Sequence, residues 1–337
     1  MTQSKLDPAF LRDQIVGVDS TFETPFGQRL MVYCDYTASG RCLRFVESYL
    51  QSLQRVYANT HTEDDITGRS MSQLLHEAET AIKASVNAGP NGRIIACGTG
   101  ATGAIDKLQQ IVGVALAPAT RKNIADIVDR SALDSAAFQQ ALAALQPIVF
   151  VGPYEHHSNE ISWRQALAET VEVKLDASGQ IDLNHLGALL QDPAYEGRLR
   201  IGSFSAASNV TGIRSDVRAV ATLLHRYDAI ACFDYAACAP YVEIDMNPAP
   251  IREGDDPAID AIFVSPHKFL GGPGSSGVLV FNERIYNREL PPSVSAGGTV
   301  DYVGPEDQDF ISHIEEREKA GTPGVLQTLK AGLVFQI

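Results

Sequence analysis

Lys268 is the residue from which a chemistry can first be read. It follows an apolar run, 259–264, inside Ser265-Pro266-His267-Lys268, and it precedes a turn carrying Gly271, Gly272, Pro273, Gly274 and Gly277. Burying an ammonium is costly unless the group is paired, deprotonated or used covalently. Schiff-base lysines exploit that desolvation, because it lowers the amine pKa. A lone loop lysine is ordinarily a solvated charge, but four more polar clusters stand directly after short apolar runs. They are Gly98-Thr99-Gly100-Ala101-Thr102-Gly103, Glu155-His156-His157, Ser208-Asn209 and Asp234. A glycine turn opening a helix offers bare amides and a positive helix end to a phosphate. A phosphate cradle, a lysine, an acid and an imidazole together suit pyridoxal 5'-phosphate, which needs a lysine for its aldimine and an acid beside its pyridinium nitrogen. Ala101, Thr102 and Ser265 are the candidates for the phosphate, and His156 for stacking on the ring while exchanging protons.

The elements that must position these groups follow from periodicity. Short apolar runs at 30–34, 94–97, 148–151, 171–175, 199–204, 229–233, 259–264 and 278–281 read as strands. Helical spacing covers 8–15, 43–57, 70–86, 104–116, 216–227 and 325–337, with Ser215 as the cap of the 216–227 helix. Residues 118–145 read as a polar helical insertion, and 58–69, with Asn59 and His61, as irregular. Strands alternating with helices predict a mostly parallel α/β sheet with helices on both faces. Ligands bind such sheets at the carboxyl ends of the strands, where all five polar clusters fall.

The bulk numbers exclude several classes. The 337 residues carry a formal charge of −14 and are 45% hydrophobic, the composition of an acidic globular protein. Acidic balance argues against nucleic-acid and anionic-membrane partners, which need basic surface. No apolar run approaches a membrane span, and the first ten residues lack a signal core, so the cytoplasm is the expected location. The five cysteines form no C-x-x-C pair, and the adjacent His156 and His157 would point to opposite faces of a strand, so no metal site is expected. The letters Gly98 to Gly103 also match the G-x-G-x-x-G dinucleotide fingerprint, which keeps a nicotinamide oxidoreductase as a remote alternative. That reading requires an acid at the end of the next strand, and none is evident.

From about Val32 to the last residue, the ordered motifs resemble the class V aminotransferase group of fold-type I pyridoxal-phosphate enzymes, which includes cysteine desulfurases and selenocysteine lyases. The motifs are Tyr33-Cys34-Asp35-Tyr36-Thr37-Ala38-Ser39, Tyr57-Ala58-Asn59, Gly100-Ala101-Thr102, Glu155-His156-His157-Ser158-Asn159, Asn209 to Gly212, Asp234, Ser265-Pro266-His267-Lys268 and Gly321-Thr322-Pro323. The resemblance implies a seven-stranded large domain over 25–310, after an N-terminal arm at 1–24. It implies that Lys268 carries the internal aldimine and shuttles the α-proton, Asp234 pairs with the pyridine nitrogen and His156 stacks on the ring. By the same resemblance Asn209 bonds the ring hydroxyl, and Thr102, Ser265 and His267 hold the phosphate. It further implies a homodimer in which Thr299 reaches the partner's cofactor phosphate, and an amino-acid substrate undergoing transamination or C–S cleavage.

Three departures stand beside the resemblance. Ala237 replaces a Gln or His, and Gly103 a Glu, found at those places in many members. The chain also ends within the apolar helical run 325–337, from which a C-terminal domain starting at 311 and largely missing is expected. In the family that domain carries the arginine for the substrate carboxylate and, in desulfurases, the nucleophilic cysteine. A truncated or non-catalytic cofactor-binding scaffold is therefore the alternative reading.

Overall fold

A computed structural model describes residues 6–60, 64–131 and 133–337; His61 lies outside them. The chain opens with helix α1 (Pro8–Gln14), hairpin strands β1 (Thr21–Thr24) and β2 (Gly27–Leu30), and helices α2 (Arg44–Leu53) and α3 (Ile66–Ser85). Strand β3 (Gly92–Cys97) leads into α4 (Gly100–Ile111), then α5 (Pro118–Arg130) and α6 (Ser135–Leu145). Next come β4 (Ile148–Val151), α7 (Ile161–Gln165), β5 (Glu169–Glu172), α8 (Leu183–Leu190), β6 (Arg200–Ser205), α9 (Val217–His225) and β7 (Ile230–Asp234). The remainder is β8 (Ala261–Val264), β9 (Gly277–Asn282), hairpin strands β10 (Val300–Val303) and β11 (Gln308–Phe310), α10 (Ile314–Arg317) and α11 (Val325–Phe335).

One seven-stranded sheet, in the order β3-β9-β8-β7-β6-β4-β5, carries the molecule. Strands β5, β4, β6, β7 and β8 pair in parallel, and β9 runs antiparallel between β8 and β3. Strand β3 therefore points the same way as the parallel set. The central strands are apolar at nearly every position because both faces are covered. Phe150, Phe204, Phe233 and Val264 point into one layer with α8 and α9, where Leu186, Val220 and Leu224 are fully buried. Val149, Ile201, Cys232 and Phe263 point into the other with α4, through Ile105 and Leu108, and with Trp163. The period-two side-chain alternation of a strand makes this possible.

Several local expectations change. Of the apolar residues 30–34, only Leu30 lies in a strand, at the end of the β1–β2 hairpin, and 31–34 form none. Strand β2 ends at Leu30, which is 54% exposed, and Val32 is 77% exposed with no neighbouring strand to pair it. Helix α4 begins at Gly100, inside the glycine turn, and stops at Ile111, where Gly113 takes the left-handed φ of +76° and Val114 N–H returns to Gln109 O. Asp216, not Ser215, caps α9, accepting from the Ala219 amide, while the Ser215 hydroxyl donates to Ser205 O. The 118–145 insertion is the pair α5 and α6. The neighbour of β3 in the sheet is the antiparallel β9, so the parallel β-α-β unit that a dinucleotide fingerprint requires is not formed around the glycine turn.

Two packing features hold the site's frame. Gly277 opens β9 so close to the start of α4 that a Cβ there would lie 2.1 Å from Gly100 O. Helix α11 lays Val325, Leu329 and Ala331 against α3 and the sheet, and its Lys330 reaches Glu47 and Pro273 O, each at 2.6 Å. At the β3 edge the Ile94 amide donates to Glu315 Oε1 (2.9 Å), which also pairs with Lys83 at 2.7 Å. Among the described residues no helix is long and apolar enough to cross a membrane, and no group of three or more His, Cys, Asp or Glu could hold a metal ion. Gly277→Ala is expected to lower stability by about 2–4 kcal/mol in urea unfolding, the cost of overpacking against backbone. Gly98→Ala, whose Cβ would meet nothing within 4 Å, is the control expected to leave the midpoint nearly unchanged.

Candidate active site

The carboxyl ends of β3, β4, β6, β7 and β8 surround one cavity of about 540 Å³. Ala101, Thr102, His156, Asn209, Asp234, Ser265, His267 and Lys268 all line it. Residues separated by up to 167 positions in the chain thus converge because five strands share one direction.

Lys268 ends a short 3-10 turn directly after β8. Burial pushes its amine below the ordinary lysine range, opposed by the negative charges of Asp234 and then Asp35. Asp234, the last residue of β7, is almost wholly buried, with Oδ1 accepting from the Ala236 amide at 2.8 Å. Burial pushes this carboxyl up, and the Ala236 bond and the charges of Lys268 and His156 pull it back. Desolvation thus drives both groups toward neutrality while their attraction across the cavity resists.

At the glycine turn, Gly100 has φ +57°, which frees the chain to enter α4 in a single step. Thr99 caps α4 without a side-chain hydrogen bond, and while the Gly103 amide bonds Thr99 O, the Gly100 and Thr102 amides are left for the cavity. Ala101 is an exception: its N–H donates to Ser265 Oγ at 2.8 Å. The expectation of a bare Ala101 amide is corrected accordingly, and Ser265 presents its remaining hydroxyl proton instead. The His267 ring packs beside Gly100, and burial, then the Lys268 charge, push its imidazole below the ordinary value, against a bond to the Ala38 backbone. Hydroxyls of Thr99, Thr102 and Ser265 around a helix N-terminus form a donor set suited to a phosphate. A buried acid on the next wall suits a cationic ring nitrogen. The residues present fit pyridoxal 5'-phosphate.

Thr299 is the one candidate outside this wall. It is fully buried in the loop before β10, and its hydroxyl donates to Ala296 O at 2.7 Å. Reaching another chain would require that bond to break.

Several wall residues are not predicted from sequence. Asp35, Thr37 and Ala38 come from the irregular segment before α2, Ser158 from the turn after β4, and Ser205 is the last residue of β6. Ser158 Oγ lies 2.7 Å from Thr102 Oγ1 and 3.1 Å from His156 Nδ1, joining the helix end to the imidazole. Behind it, Glu155 is buried, accepting from Ser205 Oγ (2.7 Å), Asn159 Nδ2 (2.8 Å) and the Gly152 amide (3.2 Å). Asn159 Oδ1 in turn accepts from Trp163 Nε1 and Ser203 Oγ. Burial pushes Glu155 up to about 7, against its hydrogen bonds and with the Asp234 charge adding to the rise. A signal was available in the letters: Glu155, Ser158, Asn159 and Trp163 fall within nine residues.

A family model described as Aminotransferase class-V matches residues 135–337, more than half of the chain. The chain belongs to the class V aminotransferase family. It is 32% identical over 188 residues to a probable cysteine desulfurase of Chlamydia muridarum, covering 55% of this chain and 43% of that protein. A probable cysteine desulfurase of Vibrio cholerae is 28% identical over 231 residues, covering 66% of this chain and 52% of that one. The chain thus spans about half the length of these relatives. Among solved structures, a cysteine desulfurase of Thermococcus onnurineus superposes with a TM-score of 0.71 at 16% identity, covering 98% of this chain and 70% of that one. The Escherichia coli cysteine desulfurase CsdA gives 0.69 at 22% identity, covering 98% and 71%. These superpositions establish for this class V family member the fold described above.

Glu155 gives the family member's site a pH signature. Its folded pKa lies above the ordinary carboxylate value, so between about pH 4.5 and 7 the folded chain binds more protons than the unfolded one. Stability contributed at acid pH is then lost as pH rises through that window, by an amount of order 3 kcal/mol. Glu155→Gln is expected to flatten this slope in urea unfolding between pH 5 and 8; an unchanged slope would contradict the assignment.

Proposed function

We propose that this chain forms the cofactor-binding part of a pyridoxal-phosphate enzyme acting on an amino acid. The observation that carries this reading is the convergence of Lys268, Asp234 and the α4 N-terminus on one cavity. Thr102, Ser265 and His267 would hold the phosphate, Asp234 the ring nitrogen, Asn209 the ring hydroxyl, and His156 the ring face. Bound there, the cofactor supplies an electron sink for charge released at the substrate α-carbon. Lys268, with its amine pKa depressed by burial, is suited to be neutral and nucleophilic nearer physiological pH than a surface lysine, and to take and return a proton at that carbon. Asp234 keeps a negative charge beside the ring nitrogen once a cation is there to stabilise it.

Within this class we favour C–S cleavage of a cysteine-like substrate, because the relatives carry the name cysteine desulfurase. Transamination is the second reading. The same lysine, acid and phosphate cradle would serve it equally.

Supplying pyridoxal phosphate to the purified chain is expected to produce a visible band near ~420 nm that borohydride bleaches. Mass spectrometry should then find the cofactor on the peptide holding Lys268. Lys268→Ala should abolish band and adduct, and Asp234→Ala should weaken cofactor binding at least ~10-fold, the cost of leaving a buried cation unpaired. Sulfide release from L-cysteine would favour cleavage, and amino transfer to a 2-oxo acid transamination. Absence of both from a chain carrying the adduct would leave a scaffold.

A further inference from the structure

The hydrogen bonds around Ser158 have a direction that its neighbours fix. The Ser158 backbone N–H can only donate, and its acceptor is His156 Nδ1 at 3.2 Å. Nδ1 must therefore carry a lone pair, which places the proton of the neutral ring on Nε2. Ser158 Oγ lies 3.1 Å from the same Nδ1, which without a proton can only accept, so the two share a hydrogen bond when the hydroxyl proton turns toward the ring. Having donated to Nδ1, Ser158 Oγ accepts from Thr102 Oγ1, 2.7 Å away. The result is a one-way chain from Thr102 through Ser158 to His156.

We infer that Ser158 is a positioning residue that fixes the Nε2–H tautomer of His156 and links that ring to the phosphate-holding end of α4. Resting on the reading of residues 98–103 as a phosphate cradle, the link works by competition. An anion at the α4 N-terminus accepts the Thr102 hydroxyl's hydrogen bond, the proton staying on Oγ1. Thr102 then offers lone pairs to Ser158 instead of a proton, and the Ser158 hydroxyl gains a second acceptor besides Nδ1. Seating of the phosphate thereby loosens the bond to His156 and frees the ring to adjust over whatever occupies the cavity. Glu155 and Asn159, on the same turn, hold the backbone in place through Ser203, Ser205 and Trp163, so the adjustment stays within the imidazole and the hydroxyl pair.

Histidine-selective ¹⁵N labelling of the full chain, without added cofactor, tests this. Long-range proton–nitrogen spectra report each ring's tautomer, and His156→Gln assigns the signal among eight histidines. Wild type should show His156 as Nε2–H. Ser158→Ala retains only the backbone donor, and loss of one hydrogen bond should raise the Nδ1–H share about fivefold. Ser158→Thr should restore the wild-type ratio. Titration with inorganic phosphate, its binding followed by ³¹P line width, should move the wild-type His156 signal along the binding curve. In Ser158→Ala, phosphate should still bind while the His156 response falls severalfold. An unchanged tautomer ratio in Ser158→Ala overturns the positioning role. A full His156 response to phosphate in that variant overturns the link. Failure of phosphate to bind wild type overturns the cradle and the link together, while the tautomer ratio still judges Ser158 alone.

Discussion

The site depends on keeping an amine and a carboxylate out of water on adjacent strands. Lys268 follows β8 and Asp234 ends β7, and burial pushes each toward its neutral form. Such desolvation costs several kcal/mol, roughly, for a fully buried ion such as Asp234, and less for the half-buried Lys268. The sheet tolerates it because it is sandwiched between two apolar layers, which hold both groups at the edge whether or not they attract. A more compliant frame would let the lysine swing to solvent or the strands separate. The tight contact of Gly277 with Gly100 O serves the same end by locking the helix terminus beside the lysine turn.

Around that pair the polar groups form two systems with different tasks. The Glu155–Asn159–Trp163 set is closed, with its donors and acceptors directed inward, and it fixes the backbone on which His156 rides. The Thr102–Ser158–His156 set is open to the cavity and can be rearranged by what enters. A rigid inner network carrying an adjustable outer one is a physical division of labour between neighbouring residues of one turn.

Much of this was legible in the letters, for identifiable reasons. Apolar runs that are covered on both faces announce themselves, so the strands holding Lys268, Asp234 and His156 are read nearly where they occur. Periodicity fails where burial is absent: Leu30, Val32 and Cys34 are exposed, and the letters of 31–34 carry no sign that no strand lies alongside them. Caps fail where two candidates adjoin, as with Ser215 and Asp216. The contribution of Asp35 and Thr37 to the wall is a tertiary fact, since nothing local brings the segment before α2 to the ends of β7 and β8. Ser158 escapes because serine is common in turns, and only the positions of Thr102 and Nδ1 give its hydroxyl a direction.

The Glu315 carboxylate at the outer edge of β3 also governs behaviour in a crowd. A sheet that ends in an open strand invites strand addition by another molecule, the first step of aggregation. Here the Ile94 amide is already bound to a carboxylate that is itself tied to Lys83. An incoming chain could pair with Ile94 only by stripping a nearly buried charge from its counter-ion. At that rung the edge of β3 is closed to strand addition.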